Sequence, residues 1–237
     1  MNRGFVIVFI FMMLMVSAGL AEAQTEQQYM DSAAFKVDNK DYKGAMADLS
    51  KIIKMDPASD AAYNNRGCIK MIIKDNKGAI EDFGAALKIN PNNFQSVTNR
   101  GALRLLAKDY PGAIKDLKAA IAIDHKNAGT YLNLGCAQDG SGNFNDAMTC
   151  FNTALKINPK FYWAYDGRAI TKCHIKDYSG AVEDCVRAIS YDKKFAEAYY
   201  YKGQAEKMLG KKDEAKKDLA TAASLGYNKP TDAFFMK

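Results

Sequence analysis

The residues best placed to do chemistry together are paired acids and bases. Arg66 with Asp82, Arg100 with Asp116, Arg168 with Asp184 and Lys202 with Asp218 are each 16 residues apart, and the pairs recur at multiples of 34. A cation beside a carboxylate serves acid–base catalysis when the site shifts one pKa, or it fixes two helices as a buried ion pair. One departure decides between these uses. At the equivalent positions between the second and third pairs stand Leu134 and Cys150, so both charges vanish together. A structural pair behaves this way, because losing one partner strands a buried charge while two apolar replacements can be neutral. The pairs are therefore read as structural. Asp48, which faces Ser32 in the same register, is expected to lack a partner of this kind.

Other candidate chemistry is sparse. Cys68, Cys136, Cys150, Cys173 and Cys185 form an odd set without a C-x-x-C, which signals neither a zinc knuckle nor a redox pair. They read as small hydrophobes between helices. If a disulfide forms, Cys150 with Cys173 is the pair expected on neighbouring helices. His125 falls in a turn, and His174 has no evident nucleophile beside it. Asp139 to Asn145 begins like a calcium loop, but Phe144 stands where glycine is needed and Cys150 where glutamate is needed. No phosphate loop, dinucleotide fingerprint or H-E-x-x-H occurs. The expectation is a protein that is not an enzyme, with no cofactor, metal or small-molecule substrate.

The elements that position the pairs follow from the period. Asp41-Tyr42-Lys43-Gly44-Ala45 returns as Asp75-Asn76-Lys77-Gly78-Ala79, Asp109-Tyr110-Pro111-Gly112-Ala113 and Asp177-Tyr178-Ser179-Gly180-Ala181. Six units of 34 residues fit without an insertion: 26–59, 60–93, 94–127, 128–161, 162–195 and 196–229. Numbering each unit from 1, position 20 is always Ala, position 8 is always Gly or Ala, and position 24 is mostly bulky. Small residues opposite large ones let two helices approach closely. Position 16 (Asp41, Asp75, Asp109, Asn143, Asp177) suits the N-cap of a second helix. Pro57, Pro91 and Pro159 end that helix. Each unit reads as helix, turn, helix, and the fold class as all-α.

This pattern resembles the tetratricopeptide repeat, over residues 26–229. The resemblance implies a right-handed superhelical solenoid of antiparallel helix pairs whose first helices line a concave groove. It also implies a non-catalytic scaffold or adaptor that binds a protein or peptide segment there. On that basis Asn65, Asn99 and Asn133, all at position 6, form a ladder of amides able to pair with an extended backbone. The alternative is that these amides bond to neighbouring helices. Asn64, Met71, Leu105, Trp163, Asp166, Tyr200 and Tyr201 complete the expected groove, with Trp163 either facing the ligand or covering the next hairpin. The carboxylate clamp of chaperone-binding members is absent, since position 5 holds no Lys. The second functional reading is a structural subunit of an envelope or secretion assembly, associating through its convex face or its ends.

The two ends add localisation. Arg3, the apolar run Phe5 to Val16 and the Ala21-Glu22-Ala23 site resemble a secretory signal, residues 1–23, cleaved before Gln24. Twelve apolar residues fall short of the roughly 20 that span a bilayer. The protein is expected to be exported, periplasmic or secreted, with an uncleaved N-terminal anchor as the alternative and the only expected membrane contact. Pro230 to Lys237, with Phe234 and Phe235, is expected to cap the last unit. A charge of +6, spread through the units, argues against a nucleic-acid groove.

Overall fold

The computed structural model describes residues 25–227, so the expected signal and capping tail lie outside the described residues. Among these residues the chain forms twelve helices. They are α1 (25–38), α2 (Tyr42–Met55), α3 (Asp60–Ile72), α4 (Asn76–Ile89), α5 (Phe94–Leu106), α6 (Tyr110–Ile123), α7 (Ala128–Gly140), α8 (Phe144–Ile157), α9 (Tyr162–His174), α10 (Tyr178–Tyr191), α11 (Ala196–Met208) and α12 (Lys212–Ser224). The fold class is all-α, a solenoid of helix pairs, one pair to each 34-residue unit. The chain divides into two compact units, one through Ser96 and one from Val97.

In the N-terminal unit, Ala33, Ala45, Leu49, Ile52, Ala62 and Ile69 form a core edged by Tyr29, Met30 and Val37. In the C-terminal unit, α5 to α12 bury successive clusters, among them Ala113, Leu117, Leu134 and Ala137, and Ala169, Cys173, Ala181, Cys185 and Ala205. The invariant Ala at position 20 is at most 3% exposed in all six repeats, which leaves no room for a larger residue. The glycines of position 8 have the same cause. A Cβ on Gly67 would lie 2.8 Å from the Phe83 ring, and one on Gly135 2.7 Å from the Phe151 ring.

The turn inside each pair is set by two residues. Position 16 caps the second helix: Asp41, Asp75, Asp109 and Asp177 accept from the backbone N–H of Gly44, Gly78, Gly112 and Gly180. Asn143 is the correction to this series. It sits at the N-cap of α8 but makes no cap bond. Its amide donates instead to Gln138 Oε1 and Ser141 Oγ, both at 3.0 Å.

Position 15, just before the cap, is left-handed in all six repeats. Lys40, Lys74, Lys108 and Lys176 have φ of 60 to 66°, and Gly142 and Gly210 have 83 and 79°. A side chain pays a steric cost in this region that glycine does not. Lys74→Gly is expected to stabilise the protein by about 0.5–1 kcal/mol, after the extra unfolded-chain entropy of glycine is subtracted. A rise in the urea midpoint with an unchanged m-value checks this.

Candidate functional site

The acid–base pairs come together as the 16-residue spacing requires, and they are larger than pairs. Arg66 donates to both oxygens of Asp82, Nε at 2.8 Å and Nη2 at 2.7 Å, and Lys70 adds a third contact at 2.8 Å. Arg100 and Arg104 hold Asp116 in the same way, and Arg168 and Lys172 hold Asp184. The second cation is at position 11, one turn after position 7, so both reach the same carboxylate. Sequence reasoning missed this column, although Lys36, Lys70, Arg104 and Lys172 recur in register.

Asp48 corrects an expectation. It is not left alone by Ser32: the Ser32 hydroxyl donates to it at 2.7 Å, and Lys36 at position 11 supplies the charge. Repeat four replaces the trio with Leu134, Gln138 and Cys150, and Cys150 packs against the cluster containing Leu134. These carboxylates are only 2–4% exposed at positions 48, 82, 116 and 184, so they face the helix interface and no ligand. Burial alone would raise the Asp82 carboxyl. The hydrogen bonds and charges of Arg66 and Lys70 outweigh it and hold Asp82 below the usual carboxylate range.

Four of the cysteines, Cys136, Cys150, Cys173 and Cys185, are chemically quiet. All five remain thiols among the described residues, so the Cys150–Cys173 pairing does not form. Burial is the main cause that pushes Cys136 and Cys173 up to about 12 and Cys150 to about 11. Such thiols are poor nucleophiles and poor ligands at neutral pH. No cluster of three metal-ligating side chains occurs among the described residues.

The expected groove residues divide by position. Position 5 is buried in three repeats: Asn64 is 4% exposed, Asp166 6% and Tyr200 5%. This corrects the expectation for all three. Asn64 accepts from Ser96 Oγ at 2.9 Å and donates to Gln95, and Tyr200 stacks on Tyr227 with centroids 4.5 Å apart. Trp163, 44% exposed, lies edge-on to Phe195 at 4.6 Å, so its ring packs on the N-cap residue of α11, where the next repeat begins. Leu105 packs against the core of the C-terminal unit, and Met71 is half-buried. Position 6 stays accessible except at Gly167. Asn65 is exposed, its amide touching the Met30 sulfur at 3.8 Å, and Asn99, Asn133 and Tyr201 are half-buried.

Each unit carries a cavity lined mainly by first-helix residues, with Leu49 of α2 in one and the starts of α6 and α8 in the other. In the N-terminal unit, a cavity of about 270 Å³ is lined by Met30, Val37, Asn65, Cys68, Ile69 and Ile72, among others. In the C-terminal unit, one of about 550 Å³ is lined by Tyr110, Asp139, Phe144, Ile170, His174 and Tyr201, with Lys108 at its edge. His174 Nδ1 lies 2.9 Å from Asp139 Oδ1, and its ring is 5.3 Å from that of Phe144. Repeat four lines this cavity with Gly140-Ser141-Gly142 where its neighbours have Leu106-Ala107-Lys108 and His174-Ile175-Lys176, and the Tyr110 ring takes the space beside Gly140. Aromatic walls with a few polar groups suit a side chain from a partner protein.

Comparison with known proteins agrees with this architecture. Two family models, both described as tetratricopeptide repeat, match residues 128–161 and 60–93, which are two of the six units read from the sequence. Tetratricopeptide repeat protein 36 of Danio rerio is 36% identical over 90 residues, covering 36% of this chain and 48% of that protein. Hsc70-interacting protein 1 of Drosophila melanogaster is 27% identical over 95 residues, covering 39% of this chain and 25% of that protein. The chain thus spans less than half the length of these relatives. The crystal structure of PilW, a type IV pilus biogenesis factor, superposes with a TM-score of 0.75 at 23% identity, covering 87% of this chain and 96% of that one. Repeats of this kind are generally non-catalytic protein-interaction scaffolds. The units at 60–93 and 128–161 match the tetratricopeptide repeat, and the fold is a solenoid of helix pairs.

Proposed function

We propose that this protein is an exported adaptor that holds a segment of a partner protein against the faces of its first helices. The observation that carries the reading is the 550 Å³ cavity walled by Tyr110, Phe144, His174 and Tyr201. Rigid aromatic side chains give large contact area at low entropic cost, and such residues dominate binding energy at interfaces. The accessible amides at positions 65, 99 and 133 support the same reading, since an amide can pair with peptide backbone whatever its sequence. Export rests on Arg3, the apolar run after it and the Ala21-Glu22-Ala23 site. A relative such as Hsc70-interacting protein 1 supports protein partners as a class and identifies none for this chain.

Cross-linking in the compartment where the protein resides, followed by affinity measurement with the captured partner, tests the proposal. Tyr201→Ala is expected to weaken binding about tenfold. Replacing Asn65, Asn99 and Asn133 together by Ala is expected to weaken it further, with the urea midpoint little changed. Binding that survives both sets of changes would assign the partner to another face.

A further inference from the structure

The last helix pair breaks the charge rule of the others. In repeats one, two, three and five, position 11 is a Lys or Arg that helps to hold the Asp at position 23. In repeat six, position 11 is Glu206 and position 23 is Asp218. Two carboxyls therefore share one cation. Lys202 donates to Asp218 Oδ2 and, at 2.9 Å, to Glu206 Oε1. Glu206 is 4% exposed and Asp218 7%, and Glu206 Oε2 is buried with no hydrogen-bond partner. With both carboxyls ionised, the trio would bury a net negative charge, which a low-dielectric site opposes. One proton makes it neutral.

We propose that α11–α12 is a pH-responsive end to the repeat array, in which a proton held on Glu206 beside Lys202 and Asp218 tightens the pair and its loss loosens α12. The groups facing Glu206 are few. Lys202 is on its own helix, Asp218 comes from α12, and α10 contributes the buried Cys185 thiol, close enough to feel the Lys202 charge. From α9, Cys173 packs into the same apolar cluster as Ala205. Burial is the largest influence on Glu206 and raises its carboxyl above the usual range. Asp218 raises it further, and Lys202 opposes both. A carboxyl raised on folding contributes stability that is present below its unfolded pKa and lost as the pH rises through the folded value. The hairpin is therefore tightest in mild acid, opposite in sign to the repeats held by Asp48 and Asp82. Tyr201, a wall of the larger cavity, directly precedes Lys202, so partner binding would inherit the pH dependence; that last step alone rests on the proposed function.

Hydrogen exchange of the whole protein at pH 4.5 and pH 8, expressed as protection factors, tests this without a partner. Amides of residues 215–224 are expected to be about tenfold less protected at pH 8, whereas those of α10 change less than twofold. Glu206→Gln, which copies the Gln138 of repeat four, is expected to remove the difference and keep α12 protected at pH 8. Equal protection of α12 at the two pH values in the unmodified protein would overturn the proposal, as would a full pH difference retained in E206Q. Should E206Q not fold, NMR titration of the Glu206 carboxyl in the unmodified protein decides instead. A midpoint above 4.5 supports the proposal, and an ordinary or lower one sinks it.

Discussion

Replacing Asp82 by Ala lowers the free energy of unfolding by about 3 kcal/mol, the low end of the range for removing one partner of a buried ion pair. The carboxylate is 4% exposed and holds two cations, Arg66 and Lys70, whose side chains are 20% and 19% exposed. Without Asp82 both charges stay in place with no counter-ion, although their partial contact with water limits the cost. A second arm uses the solution found in repeat four. The triple variant R66L/K70Q/D82C installs the residues of Leu134, Gln138 and Cys150, and is expected to cost roughly 1 kcal/mol or less despite three core changes. If the triple variant is less stable than Asp82→Ala, the trio contributes more than mutual neutralisation.

The pH profile separates the same two proteins. Asp82 is held below its ordinary pKa, so its contribution is present above the usual carboxylate value and is lost as the pH falls through the folded value. The unmodified protein is expected to lose this share of stability below about pH 4, and the triple variant to lose correspondingly less. Urea midpoints measured between about pH 2.5 and pH 7 check both statements.

The second large effect is at Phe151. Its side chain is 1% exposed, and its ring lies against two glycines: a Cβ on Gly135 would be 2.7 Å from it and one on Gly167 2.6 Å. Phe151→Ala removes the ring from a site that cannot close around the gap, since glycine has no side chain to move into it. The expected cost is about 3–5 kcal/mol, read from denaturant unfolding. Gly167→Ala approaches the same contact from the other side and is expected to cost about 1–3 kcal/mol by overpacking. Combining Gly167→Ala with Phe151→Leu should recover part of that loss, because Leu117 in the same column is followed by Asn133, a residue with a Cβ, at the position of Gly167. Additive losses in the double variant would show that the methyl added at Gly167 clashes with something other than the ring.

The Phe151 contact coincides with a break in one column of the sequence. Position 6 runs Asn65, Asn99, Asn133 and then Gly167. A Cβ on Gly167 would lie 2.6 Å from the Phe151 ring as it now sits, whereas Asn99 follows Phe83 in the same two columns, so an asparagine here would require this ring to shift. Column comparison made the period, the helix pairs and the Arg–Asp contacts legible, because each rests on residue identity repeating at a fixed offset. It could not separate position 5 from position 6. Adjacent residues on a helix differ by about 100° in direction, so a face inferred from spacing has blurred edges. Asn64, Asp166 and Tyr200 fall on the buried side of that edge, and Asn65 and Tyr201 on the accessible side. The cap at Asn143 failed for a related reason. An amide can donate as well as accept, and the Gln138 carbonyl oxygen is a competing partner that the Asp of other repeats would repel.

Repeat four, finally, is expected to respond to temperature differently from its neighbours. The hairpins around it are joined by ions whose desolvation penalty falls as water warms. Leu134 and Cys150 are joined by exclusion from water, a force that fades on cooling. Near freezing, the hairpin of α7 and α8 should therefore open before those of α5–α6 and α9–α10, and on heating the order should shift in its favour. An array whose members respond in opposite directions to heat keeps a weak link in the cold at a defined place: the repeat whose Gly140 and Gly142 line the larger cavity.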